Sequence, residues 1–264
     1  AFAERLLQRF PLEAGVPPGF RILDDAKKRQ IVTRAIDETI ATATATENQQ
    51  SPLGKALNLV IGYASDTSFD DLLTQLIAKH KYLEAASRIE LGTHVDPYGG
   101  IERLLQRHFS VRAGASVATL EAEQAGILSK PNLVALRDLL AGGSASDVKL
   151  SEALARASKA TSARDCASAV CAYLLTEKGE ARSRLMTKKL AENRPDLQAI
   201  AERAQSDMLE VSHELKAVTL LEATLASYRL AANVQQIYSS AKAASGALDF
   251  DDLLFKTVQL FQTQ

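Results

Sequence analysis

Tryptophan is absent from the 264 residues, and aromatic side chains of all kinds make up 5%. Runs of β-branched residues long enough for strands are nearly missing, while Ala, Leu, Glu, Lys, Arg and Gln, the strong helix formers, are plentiful. These shortages point to an all-α fold, an irregular multi-helix array or bundle without a substantial sheet. No apolar run approaches the eighteen or so residues of a membrane span, and no signal-peptide pattern opens the chain. Neither charge sign is in excess: 31 basic residues stand against 32 acidic ones, a formal net charge of -1. A dedicated nucleic-acid binder carries a clear positive excess, so any DNA contact must rest on a local patch. There are two cysteines, Cys166 and Cys171. They lie five apart in a helical stretch, fit no zinc spacing and suggest a reducing compartment.

Catalytic signatures are missing too. The sequence holds no G-x-x-x-x-G-K-[ST] loop, G-x-G-x-x-G, H-E-x-x-H, G-x-S-x-G or C-x-x-C. His80, His94, His108 and His213 lie scattered, without ligand spacing, and read as surface or half-buried helix residues. No catalytic residue and no metal site is assigned.

What is present is a series of helix signals. Phe2, Leu6, Leu7 and Phe10 share one helical face, and Pro11 stops that helix. Residues 11–23, with Gly15, Pro17, Pro18 and Gly19, read as an ordered connector. Asp24 caps a helix through about Thr42, with Ile31, Ala35 and Ile36 inward. The alternating Ala and Thr from Ala41 to Thr46 read as a fraying end. Ser51 and Pro52 make a cap-plus-N1 start for Leu53, Leu57, Val60 and Ala64. Ser68 and Asp71 resemble a capping box before Leu72, Leu73, Leu76 and Ile77. Asp96-Pro97 opens a helix carrying Ile101, Leu104, Leu105 and His108. Helices are expected at 116–125, 131–141, 147–158 and 163–176, separated by Gly126, Gly142-Gly143 and Gly179.

No Gly or Pro interrupts the stretch from Pro195 to Ser245. As a single helix it would run roughly 70 Å, and a break or bend within it is the alternative. Leu197, Ala201, Ala204, Met208, Val211, Leu215 and Val218 repeat at steps of four and three. The stripe then shifts phase to Leu221, Leu225 and Tyr228. That is a seam for packing against neighbouring helices. Leu253, Leu254, Val258 and Phe261 form a last amphipathic stripe. With stripes running at both ends, the chain is expected to be an internal piece of a larger protein, its ends packing on each other or fraying.

Two clusters carry candidate chemistry. Asp249, Asp251 and Asp252 either cap and open a helix, opposing its macrodipole, or gather a Mg²⁺ ion. Phe-Asp-Asp-Leu-Leu also occurs at 69–73, so the string serves readily as a helix start. Arg182, Arg184, Lys188, Lys189 and Arg194 against Glu192 give a local charge of +4 over residues 182–194. Such a segment either lies along a phosphate backbone or is a solvated helix face. Without interleaved aromatics its contacts would be independent of sequence. Arg103 and Arg107, four apart, form a weaker basic pair continued by His108 and Arg112.

Three stretches bear a resemblance. Ala1-Phe2-Ala3-Glu4-Arg5-Leu6-Leu7-Gln8-Arg9-Phe10-Pro11 resembles the helix after the Thr-hydrophobic-His element of UvrD-like superfamily-1 DNA helicases. Leu12-Glu13-Ala14-Gly15-Val16-Pro17-Pro18, then Phe20 and Leu23-Asp24-Asp25, is similar to the AddA branch, the helicase–nuclease subunit of AddAB. Leu248-Asp249-Phe250-Asp251-Asp252-Leu253-Leu254 looks like the L-D-F-D-D-L string where these chains re-enter their ATPase core. Leu185-Met186-Thr187-Lys188-Lys189-Leu190 before Pro195 is similar to the T-K-x-L…P segment of AddA proteins. The resemblance covers essentially the whole chain, weakly in the middle. It implies the helical 1B subdomain of such an enzyme: residues 1–23 connecting from the ATPase domain, 24–246 the subdomain, 247–264 the returning helix, with Asp249, Phe250, Asp251 and Asp252 as a structural family motif.

The resemblance also implies a bacterial, cytoplasmic parent with ATP-dependent helicase and nuclease activities in double-strand break repair. ATP and Mg²⁺ belong to that parent, and no cofactor is expected in these 264 residues, which should be inactive alone. Expected partners are DNA, an AddB-like subunit and the rest of the same chain, with no membrane. Phe2 aligns with the aromatic of the family's H-x-F element, near the single-stranded DNA path, although the His before it is not in this chain. The family often has Cys where Ala3 stands. A protein-interaction or spacer module without DNA contact is the alternative.

Overall fold

Strong helix formers set between Ser, Thr and Asp caps give a chain built almost wholly of helices. The computed structural model describes residues 2–63, 69, 71–77, 79 and 97–262. In chain order the helices are α1 (Phe2–Arg9), α2 (Asp25–Thr44), α3 (Pro52–Ile61), α4 (Pro97–His108), α5 (Val117–Gly126), α6 (Lys130–Ala141), α7 (Ala145–Lys159), α8 (Ala163–Leu174), α9 (Lys188–Asn193), α10 (Pro195–Ala244) and α11 (Phe250–Gln262). Residues 71–77 are also helical. Strands β1 (Arg21–Ile22) and β2 (Ala247–Leu248) pair in parallel, Arg21 opposite Ala247 and Ile22 opposite Leu248. Among the described residues no helix is long and apolar enough to cross a membrane. The chain divides into two units, Ala1–Glu102 with Ala223–Gln264, and Arg103–Glu222.

In the first unit the expected caps form. Asp24 accepts from the Lys27 N–H at 2.6 Å, and Ser51 from the Gly54 N–H at 3.1 Å. Helix α2 runs two residues beyond Thr42. Thr42 and Thr44 turn their hydroxyls back to the Glu38 and Ile40 carbonyls, both at 2.8 Å, so the polar end stays helical. A Cβ on Gly54 would lie 2.3 Å from the Asn48 carbonyl oxygen, so glycine lets α3 press against the preceding turn. Ala35, Ile36, Leu57, Val60 and Leu73 pack with Leu230, Ala231 and Val234 of α10. Ala64, Ser68 and Asp96, named above as helix residues or caps, lie outside the described residues.

The segments at either end of the chain pack on each other. Leu7 of α1 and Leu253 and Leu260 of α11 close over Ala14, Val16 and Phe20. Each fully buried aliphatic side chain of this kind contributes about 2 kcal/mol.

In the second unit α6, α7 and α8 pack on the first half of α10, with Leu136, Leu140, Leu154, Val170, Tyr173, Leu174, Ala201 and Met208 at the centre, and Leu120 of α5 packs on Val211 and Val218 of α10. Capping boxes at Ser116–Thr119 and Ser144–Asp147 start α5 and α7. The 50 residues of α10 form one helix. Its stripe from Leu197 to Val218 is buried, apart from a half-buried Leu215, and the phase then shifts at Leu221. Steps of four and three average 3.5 residues against 3.6 per turn, so the stripe drifts and has to reset. Beyond the reset Leu225 is only half-buried, and Ala226, Leu230, Val234 and Tyr238 carry the buried face. In α4, Ile101 is buried and Leu105 half-buried, one turn apart; Leu104 falls beside that line and is exposed.

Candidate nucleic-acid interface

The basic segment starts from a tight turn after α8. Leu175 pairs antiparallel with Ala181, and the Thr176 N–H donates to the Glu180 carbonyl at 2.8 Å. Gly179 has φ of 77°, a conformation that a side chain would strain. Gln205 of α10 holds the turn from beneath, donating to the carbonyls of Leu174 at 2.7 Å and Arg182 at 3.1 Å. Leu185 and Met186 then plunge into the core, which leaves Arg184 on the outside.

Asp147 anchors the far end of the segment. It is 1% exposed and sits at the third position of α7. One oxygen accepts from the Ser144 N–H and hydroxyl, each at 2.8 Å; the other accepts from the Thr187 N–H at 2.9 Å. Burial pushes this carboxyl up, but the Ser144 and Thr187 hydrogen bonds outweigh burial and hold its pKa below the ordinary value. Thr187 is the N-cap residue of α9, so one buried carboxylate ties the starts of two helices together. A Cβ on Gly143 would lie 2.5 Å from an Asp147 oxygen, which explains glycine there.

The five cations have different fates. Arg182 is half-buried: its Nη2 donates to the Ala172 carbonyl at 2.9 Å, and its Nε is buried without a partner. Arg194 is taken by Asp196, just beyond the segment, through two hydrogen bonds of 2.9 and 2.6 Å. Those bonds hold the Asp196 carboxyl below its usual range. Lys188 lies 3.7 Å from Glu192 with both side chains largely exposed, a pair worth little in water. Arg184 and Lys189 face solvent.

Between α7 and this segment runs a groove of about 820 Å³. Lys149 and Arg156 of α7 meet Arg182 and Arg184 there, against Asp147 and Glu177. Lys149 and Arg156 stand outside every run of basic residues in the sequence. Their spacing of seven, two helical turns on one face, was the available signal.

Arg103 and Arg107 are exposed on α4 and do not line this groove. Arg112 is held by Glu214 at 2.6 Å and Glu123 at 2.8 Å. Hydrogen bonds to Glu214 first, then Glu123, raise its pKa further above the ordinary arginine value.

In the first unit the carboxylates at 249–252 are committed to the fold. Asp249 is 4% exposed and accepts from the Tyr238 hydroxyl at 2.8 Å and from Lys242 Nζ at 2.9 Å. Its other oxygen accepts from the Asp252 N–H at 2.8 Å, and the Asp249 N–H donates to Asp252 at 3.1 Å. This is a reciprocal cap on α11, completed by a contact of Lys242 with Asp252. Asp251 pairs with Lys28 at 3.4 Å on the surface. Among the described residues no three His, Cys, Asp or Glu side chains gather as metal ligands. Phe2 and Phe250 are 70% and 67% exposed and belong to the first unit, whereas the groove belongs to the second.

The UvrD/REP helicase N-terminal domain family matches the chain over residues 1–264. No curated protein matches it.

Proposed function

The chain belongs to the UvrD/REP helicase N-terminal domain family, and on that premise we propose that it is the helical 1B subdomain of an AddA-like helicase–nuclease acting in double-strand break repair. The motif strings at residues 12–25 and 185–195 support the AddA branch, and those at 1–11 and 248–254 support UvrD-like helicases in general. In this reading residues 24–246 form the subdomain, and the segments 1–23 and 247–264 join it to the ATPase domain of a bacterial, cytoplasmic enzyme. The partners are DNA, an AddB-like subunit and the rest of the same chain.

The residues present do not fit Mg²⁺-ATP. No Gly-rich phosphate loop occurs in the sequence, and the carboxylates of Asp249 and Asp252 are committed to Lys242 and to the cap of α11. ATP hydrolysis belongs to other parts of the parent. The contribution of this chain is to brace the DNA path and hold phosphates without reading bases. The observation that carries this is the set of exposed cations on the second unit: Lys149, Arg156, Arg184, Lys188 and Lys189.

Fluorescence anisotropy with labelled single-stranded and duplex DNA at several salt concentrations tests it. The affinity should fall linearly with salt on a log–log scale, with a slope near -0.7 to -0.9 per phosphate contact. Lys188→Glu combined with Lys189→Glu should weaken binding to all sequences alike and flatten that slope. An absence of binding at low salt would overturn the DNA role. A second reading, contact with protein, is favoured by one observation: Phe250, Leu254, Val258 and Phe261 of α11 are each more than half exposed.

A further inference from the structure

We propose that the groove between α7 and residues 175–187 is a discrete phosphate subsite, in which Lys149, Arg156, Arg182 and Arg184 take one phosphate group of a nucleic-acid backbone. This rests on the DNA reading above and deepens it, giving the second unit one defined point of contact.

Size, charge and lining each point the same way. Pockets that enclose small ligands measure about 300–1,000 Å³, so 820 Å³ holds a nucleotide-sized group. Four cations line the groove against Asp147 and Glu177. The Asp147 oxygens already accept from Ser144 and Thr187, so that carboxylate is directed at the backbone. Lys149, Arg156 and Arg184 form no ion pair among the described residues. The positive charge in the groove therefore has no internal counterpart equal to it. No aromatic ring lines it, so a base has nothing to stack on and the phosphate is the feature recognised.

Arg182 is the fixed point. Its bond to the Ala172 carbonyl holds the guanidinium in place, while its Nε proton has no acceptor. A purely structural arginine explains the first contact. It does not explain why three further cations line the same groove. Held by one edge, the Arg182 side chain lines the groove in a fixed position, so its charge is pre-organised there for a phosphate.

The test is an NMR titration of the ¹⁵N-labelled chain at low salt, with a short oligothymidylate and, separately, with sodium phosphate. The Arg182 Nε–H signal is identified by its loss in Arg182→Lys. Saturable movement of that signal with the oligonucleotide is expected. Affinity should drop on the order of tenfold in the double variant Lys149→Gln, Arg156→Gln. Both substituted residues are exposed, so circular dichroism and melting should match the parent. Movement with both probes assigns the site to a phosphate group whatever carries it; movement with the oligonucleotide alone assigns it to a phosphodiester chain. Movement with phosphate alone overturns the nucleic-acid assignment. If the oligonucleotide binds while the groove signals stand still and the double variant binds as the parent does, the subsite falls and the DNA role stands. If the oligonucleotide does not bind at all, both fall.

Discussion

Tyr173 shows how much a single buried atom decides. The residue has no exposed surface, and its hydroxyl oxygen has no hydrogen-bond partner. Burial, with the charge of Asp147 as a lesser cause, raises its pKa and keeps the phenol neutral. A buried hydroxyl without a partner costs about 1–3 kcal/mol. Tyr173→Phe should therefore leave stability unchanged or raise it by about 1 kcal/mol, read as an equal or higher urea midpoint; a clear loss would show that the hydroxyl is used. The cations teach a related lesson. Counting charges over 182–194 found the basic segment, because the count needs only composition. It missed that Asp196 takes Arg194 and that Ala172 takes one edge of Arg182, since partners outside the window are set by folding. Lys149 and Arg156 escaped because the residues they join lie on another element.

Helix starts were the most legible elements. Asp24, Ser51 and Asp249 act as caps where the sequence placed them, because a cap needs only its own side chain and the next three residues. The turn at 175–181 was not legible: it depends on Gln205, some thirty residues away, for its support. Asp147 belongs to both kinds. Its capping box is local, but its bond to Thr187 reaches 40 residues along the chain. Asp147→Ala should cost about 2–3 kcal/mol by stranding the Thr187 and Ser144 N–H groups. Asp147→Ser, a shorter acceptor, should restore only the local cap. Chemical denaturation of the three proteins checks this, and equal stability of Asp147→Ala and the parent would sink it.

At the scale of the molecule, the all-α class was legible from composition and the long helix from its uninterrupted stripe. The unit boundary at Glu222–Ala223 was not, since it falls inside α10 without any Gly or Pro to mark it. Acid should act on the first unit through Asp249. Burial raises this carboxyl, but hydrogen bonds from Lys242, the Asp252 N–H and Tyr238, together with the Lys242 charge, lower its pKa well below the unfolded value of about 3.9. A depressed carboxylate contributes stability in full above about pH 4 and loses it as pH falls towards the folded value. Melting temperatures from neutral pH to about pH 3 should fall more steeply in the parent than in Asp249→Asn, which starts lower by about 3 kcal/mol. Parallel curves would remove Asp249 from the acid response. The pairing of β1 with β2 has a mechanical consequence. Arg21 donates to the Gly246 carbonyl and Leu23 to the Leu248 carbonyl, at 3.1 and 2.9 Å, between parallel strands. Tension applied through α1 and α11 pulls those strands past each other in shear, so their bonds share the load instead of parting one by one. Residues 24–246 stay slack until this clasp yields.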